Sequence, residues 1–249
     1  MVARSRLAEV LRFWGGRALD FLYPNDAVCA ACSRPLADGA GGLCAECADE
    51  LRPIEGARCR VCGRPLRETV EERRSFICSG CARRHIEERI EGAAPFSHEG
   101  TAARLVYALK YGGVRAAAEP LAREMARMIP ERFEALTPVP LHRARQRERG
   151  FNQAAALCDD LARATDIPVI YALRRTAATR QQMKLGAAER VRNVQGAFEV
   201  VEPVEGMRIA LVDDVRTTGM TALSCAKALY EAGAADVWLL TATVSVLNA

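Results

Sequence analysis

The chain has no long apolar run, few aromatic residues and little net charge. No stretch reaches the roughly 18 consecutive apolar residues that would mark a membrane-spanning helix, so no integral membrane segment is expected. The N-terminus alternates basic and apolar residues (RLAEVLRFWGGRALDFLYP). It lacks the apolar centre and small-residue cleavage site of a secretory signal. Residues 1–24 are read as an amphipathic segment packing its Leu, Phe and Trp on a neighbouring domain, with a membrane surface as the alternative bed. Aromatics make up 6% of the chain, and Phe151 and Tyr171 alone flank its basic runs. Base stacking within those runs therefore has little to work with. The formal net charge is only +4, so the chain as a whole is no polybasic grip for nucleic acid. Half of the 249 residues are hydrophobic, enough to core one α/β domain beside a small module.

Cysteine is abundant instead. Eight of the ten cysteines form four CxxC pairs: Cys29/Cys32, Cys44/Cys47, Cys59/Cys62 and Cys78/Cys81. Each pair presents two thiolates from one knuckle turn, and two knuckles complete a tetrahedral four-sulfur site suited to structural zinc. CAACSRPL and CRVCGRPL repeat each other, which marks a duplicated ribbon. Sequential pairing (Cys29, Cys32, Cys44, Cys47; then Cys59, Cys62, Cys78, Cys81) is the simplest arrangement. An interleaved cross-brace fits the same spacing. Disulfides are the rival, and the absence of an export signal argues against them. Cys158 and Cys225 fall in helical patterns and read as core thiols. Two ions held by eight thiolates cancel the formal charge, and Cys29–Glu91 holds equal numbers of basic and acidic residues. The ribbon's base-level role is to stabilise a module too small for its own core.

The most informative stretch is Ile209–Thr221, IALVDDVRTTGMT. The apolar Ile209–Val212 predicts a buried strand, and Ala222–Ala232 predicts a helix. Between them stand Asp213, Asp214 and a loop of hydroxyls around a glycine: Thr217, Thr218, Gly219, Met220, Thr221. A strand, a polar loop and a helix N-terminus together aim free N–H groups and a positive dipole end at an anion. Gly219 lets the backbone approach closely. The paired acids cannot bind phosphate and suit sugar hydroxyls. The stretch reads as a sugar-phosphate site. A capped helix with surface acids accounts for one hydroxyl but not for the whole run.

A boundary is expected at GAAPFS, within Glu91–Ser97. Helical patterns follow at Ala102–Tyr111 and Ala116–Met128, then a strand at Leu136–Pro140. Next comes a basic run with Arg143, Arg145, Arg147 and Arg149 against Glu148, ended by Gly150, before a helix over Asn152–Ala164. A second basic stretch (Arg174, Arg175, Arg180, Lys184, Arg190, Arg192 against Glu189) lacks apolar periodicity and is expected to be a mobile loop. A short strand is expected at Glu199–Val201. Pyrophosphate requires convergent cations, which arginine supplies well. A solvated face is the blander reading of such runs.

LVDDVRTTGMT resembles the phosphoribosyl-pyrophosphate (PRPP) motif of type I phosphoribosyltransferases. Together with LVYALKYGG, VPLHRARQRERGFNQA and RRTAATRQQMKLGAAERVRNVQGAF behind four CxxC pairs, the chain resembles the ComF (competence protein F, GntX-like) family over nearly its whole length. The resemblance implies a double zinc ribbon over 25–91 and an α/β domain of the type I phosphoribosyltransferase fold over 92–249, a parallel sheet flanked by helices. It implies two structural zinc ions and Mg-PRPP as ligand. Asp213 and Asp214 would hold ribose, Thr217–Thr221 the 5-phosphate, and Arg149, Gly150, Asn152 and Gln153 the pyrophosphate. Gln181–Asn193, with Lys184 and Arg190, would close over substrate, and Lys110 is a further candidate. It implies an enzyme of phosphoribosyl transfer acting in DNA uptake, cytoplasmic or peripheral at the inner membrane. The alternative is a non-enzymatic factor that keeps the site as a sensor and handles single-stranded DNA or a DNA-import helicase.

Overall fold

The computed structural model describes residues 28–36, 42–67, 69–176 and 197–245. Its centre is a parallel sheet. Strands β1 (Gly92–Ala93) and β2 (Phe96–Ser97) lie in turn along one edge of β7 (Asp236–Val244). Next to β7 comes β6 (Arg208–Arg216), then β3 (Ala135–Pro138). Leu136 also bridges to Val169 in parallel on the far side of β3. The GAAPFS segment expected to mark a boundary is therefore the edge of the sheet itself. An antiparallel pair, β4 (Leu173–Arg175) and β5 (Phe198–Val200), stands apart.

Alternation along β6 supplies both faces of the sheet. Ala210 and Val212 pack with Leu105, Leu109, Leu121, Met125, Leu157 and Leu161. These come from α4 (Gly100–Tyr107) and its continuation, α5 (Ala118–Ala126) and α7 (Gln153–Thr165). Ile209 and Leu211 pack on the other face against Leu223, Ala226 and Leu229 of α8 (Met220–Glu231) and against Phe198. The result is three layers, helices covering both faces of a parallel sheet. No helix among the described residues is long and apolar enough to cross a membrane.

Among the described residues the predicted helices and strands stand, with shifts that have physical reasons, except that Arg174 and Arg175, expected in a mobile loop, pair in β4 with β5. Residues 1–24 lie outside the described residues. Strand β6 does not stop at Val212: it pairs with β7 through Arg216, which carries both aspartates into the sheet. The helix expected to run from Ala102 to Tyr111 is α-helical only to Tyr107. Residues Ala108–Gly112 then widen into a π turn, and Gly113, at φ 66°, ends it. The basic run Arg143–Arg149 winds into α6, capped by His142 and stopped by Gly150 at φ 82°. Asn152 is the cap of α7 rather than its first residue, its side chain accepting from Ala154 N–H.

The ribbon residues precede the sheet. Short helices α1 (Ala45–Glu50) and α3 (Ser79–Ala82) each carry the last cysteine of their four, and α2 (Val70–Ser75) lies between them. Ribbon and sheet meet closely. Ile54 N–H donates to Pro95 O at 2.7 Å, and Arg58 donates to Ala94 O at 3.1 Å. Gly63, at φ 73°, lies so near the β1–β2 link that a Cβ there would stand 2.8 Å from Ala94 N.

Candidate functional site

The cysteines answer the pairing question left open by spacing. Cys29, Cys32, Cys44 and Cys47 bring their sulfurs within 4.8 Å of one another, and so do Cys59, Cys62, Cys78 and Cys81. The pairing is sequential. A tetrahedral zinc with Zn–S near ~2.3 Å sets sulfurs about 3.8 Å apart. Cys32 and Cys44 lie 3.8 Å apart, and Cys62 and Cys78 lie 3.6 Å apart. The two four-thiol sets fit zinc, and the four-sulfur shell makes the role structural. Arg34 donates to Cys32 Sγ, which pulls that thiol down to about 6 and favours the thiolate that a metal needs.

The second centre lies at the carboxyl end of β6. Asp214 is 7% exposed. Its Oδ1 stands 2.8 Å from Lys110 Nζ. Lys110 sits in the π turn after α4, a local widening often found at functional positions. Asp213 Oδ1 accepts from Asp214 N–H at 2.9 Å. Burial first, then the adjacent Asp214 charge, raise the Asp213 carboxyl from 3.8 to about 7, while Lys110 and Arg149 pull the other way. Burial, then Lys110, lowers His98, whose Nδ1 lies 2.9 Å from Thr243 Oγ1.

Beyond the acids, Thr217, Thr218 and Thr221 are exposed. Gly219 takes φ 77° as the N-cap of α8 and offers no side-chain cap to the first N–H groups of the helix. Met220 N–H reaches Thr218 Oγ1 only at 3.4 Å.

The basic side contributes Arg149. It donates to Gln153 Oε1 at 2.9 Å, and its guanidinium carbon lies 5.4 Å from the Tyr111 ring centre. Tyr111 stacks on Tyr107 at 6.0 Å, and both are exposed, at 71% and 54%. Gln153 is buried and also donates to Leu109 O and Phe151 O. Asn152 donates to Val139 O while capping α7. Gln153 thus spends its side chain on Arg149 and the π turn, and Asn152 spends its own on Val139 and the cap of α7. Gly150 ends α6 with open space around it. Lys184 and Arg190, and the rest of Gln181–Asn193, lie outside the described residues.

Sequence reasoning missed two arginines. One is Arg216. It is 5% exposed, and its terminal nitrogens donate to Val61 O at 2.9 Å and Ile90 O at 2.8 Å. It ties the second cysteine set to the root of the Thr217–Thr221 loop. Arg84, just past that set, donates to Thr218 O at 2.6 Å. No spacing rule signals either contact, since both cross more than a hundred residues of chain. Tyr107 and Tyr111 were legible in principle, four apart beside Lys110 in LVYALKYGG.

Comparison with known proteins agrees with this layout. Residues 18–82 match a family model described as a double zinc ribbon domain. The DNA utilization protein YhgH of Escherichia coli (strain K12) is 40% identical over 119 residues, covering 47% of this chain and 51% of that protein. Competence protein F of Haemophilus influenzae is 39% identical over 108 residues, 42% of this chain and 47% of that protein. Competence protein ComFC of Bacillus subtilis is 26% identical over 228 residues, covering 88% of this chain and 84% of that protein. The chain spans about half the length of the first curated relatives it matches. A structure of glutamine PRPP amidotransferase from B. subtilis shares 25% identity over 52% of this chain and 26% of its own, at a TM-score of 0.40. The class that the described residues define is an α/β protein, a parallel sheet flanked by helices, behind two four-cysteine sets that fit zinc. The chain is thus similar, in part or over most of its length, to DNA utilization and competence proteins.

Proposed function

We propose that this protein binds Mg-PRPP at the carboxyl end of β6, transfers its phosphoribosyl group to an acceptor, and acts in the handling of DNA taken up from outside. The observation that carries the reading is the convergence of Asp213, Asp214, Lys110 and Arg149 beside the open Thr217–Thr221 loop. In this reading the loop N–H groups and threonine hydroxyls hold the 5-phosphate. The aspartates accept from the ribose hydroxyls. Arg149, and Lys184 and Arg190 from the loop beyond the described residues, face pyrophosphate. Magnesium would arrive with the ligand and neutralise part of its charge. During transfer the bond from the ribose anomeric carbon to pyrophosphate breaks, and a bond to the acceptor's nucleophilic atom replaces it. The protein's contribution is positioning and electrostatic stabilisation. The names of the relatives, DNA utilization and competence proteins, support the setting. The two zinc sites stabilise the ribbon that abuts this loop.

Calorimetric titration of PRPP into zinc-loaded protein, with and without magnesium, tests the site. Saturable binding is expected, and it should be lost when Asp213→Asn and Asp214→Asn are combined. Equal binding by the double variant would refute the assignment.

A second reading, direct contact with single-stranded DNA, is favoured by one observation: the exposed Tyr107–Tyr111 stack with Arg149 at its end. These aromatics come from α4 and the π turn rather than from the basic runs. Stacking on each base is worth about 1–3 kcal/mol. Tyr107→Ala with Tyr111→Ala should weaken oligonucleotide binding at constant salt and leave PRPP binding intact. Unchanged oligonucleotide affinity would remove this reading.

A further inference from the structure

One difference between the two ribbon repeats faces the phosphate loop. In the first repeat Arg34 is spent within its own module. Its Nε donates to Cys32 Sγ at 3.4 Å, and a terminal nitrogen pairs with Glu46 between Cys44 and Cys47. The second repeat keeps this arginine as Arg64, but Gly80 stands between Cys78 and Cys81 where the first has Glu46. Arg64 Nε is buried and has no hydrogen-bond partner among the described residues. Glu72, beside it, is occupied: its carboxylate accepts from Arg67 N–H and Ser79 N–H.

Arg64 opens onto a cleft of about 280 Å³ between the second zinc knuckle and the phosphate loop, walled by Arg83, Arg84, Thr217 and Thr218. Arg84 already holds the Thr218 carbonyl, and Arg216 holds Val61 and Ile90. No side-chain partner is found for Arg83 among the described residues. Four guanidinium groups thus meet at one seam. A zinc held by four thiolates offsets only about two of these charges. Burying the Nε of a guanidinium without a partner is costly, and a planar guanidinium is suited to phosphate oxygens.

We propose that this cleft is a second anion site, separate from the loop that takes the 5-phosphate, and that it binds a phosphate monoester dianion through Arg64 and Arg83. The proposal uses the phosphate-loop reading only in counting the loop as a distinct site.

Inorganic phosphate titrated into zinc-loaded full-length protein tests it, with zinc content and PRPP binding measured on every sample. Wild type should show a loop-bound and a cleft-bound phosphate. Arg64→Ala should lose the cleft class, by about tenfold or more in affinity, the order expected for a charge-assisted contact. Gly80→Glu rebuilds the first repeat's ion pair on a helical turn. It should have the same effect while both zinc ions and PRPP binding remain. Phosphate binding that is identical in wild type, Arg64→Ala and Gly80→Glu would overturn the proposal. Should one phosphate bind and both variants abolish it, the cleft stands and the loop reading falls. Dinucleotides with and without a 5′-phosphate separate the sources. A preference for the phosphorylated form that Gly80→Glu erases assigns a nucleotide-borne monoester, and equal binding assigns free phosphate.

Discussion

Lys110 Nζ and Asp214 Oδ1 lie 2.8 Å apart, with the two side chains only 20% and 10% exposed. The pair joins the π turn after α4 to the end of β6, so the lysine expected only as a further candidate is the direct partner of Asp214. Removing one member of a buried pair strands the other charge, at about 3–5 kcal/mol for full burial. Lys110→Met should therefore destabilise the protein by about 2–3 kcal/mol, the lower figure reflecting residual exposure. Combining it with Asp214→Asn should recover much of that loss. Urea unfolding of the four proteins in the cycle measures the coupling.

Asp213 gives the molecule a pH dependence of defined sign. Its carboxyl is raised from 3.8 to about 7 by burial and by Asp214. A raised acid favours the folded state while protonated. That contribution is complete below the unfolded value and is lost as pH rises through about 7. Between pH 6 and pH 8, wild type should lose about 1.4 kcal/mol relative to Asp213→Asn. Denaturant unfolding at both pH values, with zinc retained, checks this. A wild-type curve parallel to that of the variant would show that the carboxyl is not held in its protonated form.

Much of this was readable in the sequence because it is local. Four CxxC pairs at ribbon spacing define two zinc sites, and DDVRTTGMT places acids, hydroxyls and a glycine on one strand-to-helix turn. The sequential pairing of the cysteines needed the fold, since spacing permits two arrangements. Lys110 reaches Asp214 only because the helix widens at Ala108–Gly112. Arg216 and Arg84 act across the join between ribbon and sheet, and local patterns carry no record of such contacts. Asn152 and Gln153 were legible as residues near the site, while their capping and bridging bonds depend on α6 and α7 meeting the π turn.

Gly63 and Gly56 separate the cost of backbone strain from the cost of a closed seam. Both take positive φ, at 73° and 78°, but only Gly63 has neighbours: a Cβ there would meet Ala94 N at 2.8 Å and Ala93 Cα at 2.9 Å. The first repeat places Ser33 at the equivalent turn, at φ 61°, so the turn itself admits serine. Gly56→Ser should cost about 1 kcal/mol from the left-handed backbone alone. Gly63→Ser should add about 1–3 kcal/mol of overpacking and loosen the ribbon from the sheet. Thermal unfolding ranks the two variants. Limited proteolysis should cut the Gly63 variant between ribbon and sheet while its zinc content holds.

Arg216 joins the ribbon, the sheet and the Thr217–Thr221 loop. Its guanidinium satisfies two buried carbonyls, Val61 O and Ile90 O, from opposite sides of the seam. A Cβ on Gly219 would lie 3.4 Å from Arg216 Nε, so the same side chain also supports the turn that opens α8. Arg216→Met leaves both carbonyls without a donor at about 1–3 kcal/mol each. Arg216→Lys keeps the charge but offers one compact donor group where the guanidinium spans two acceptors. Both variants should unfold at lower denaturant than wild type, Met more than Lys. If the loop binds phosphate as proposed, both should also bind PRPP more weakly. Arg132, which pairs with Asp236 on the exposed surface, is the control: Arg132→Ala should change stability by less than about 1 kcal/mol and leave PRPP affinity alone. Wild-type PRPP affinity in Arg216→Lys, alongside reduced stability, would confine Arg216 to holding the two modules together.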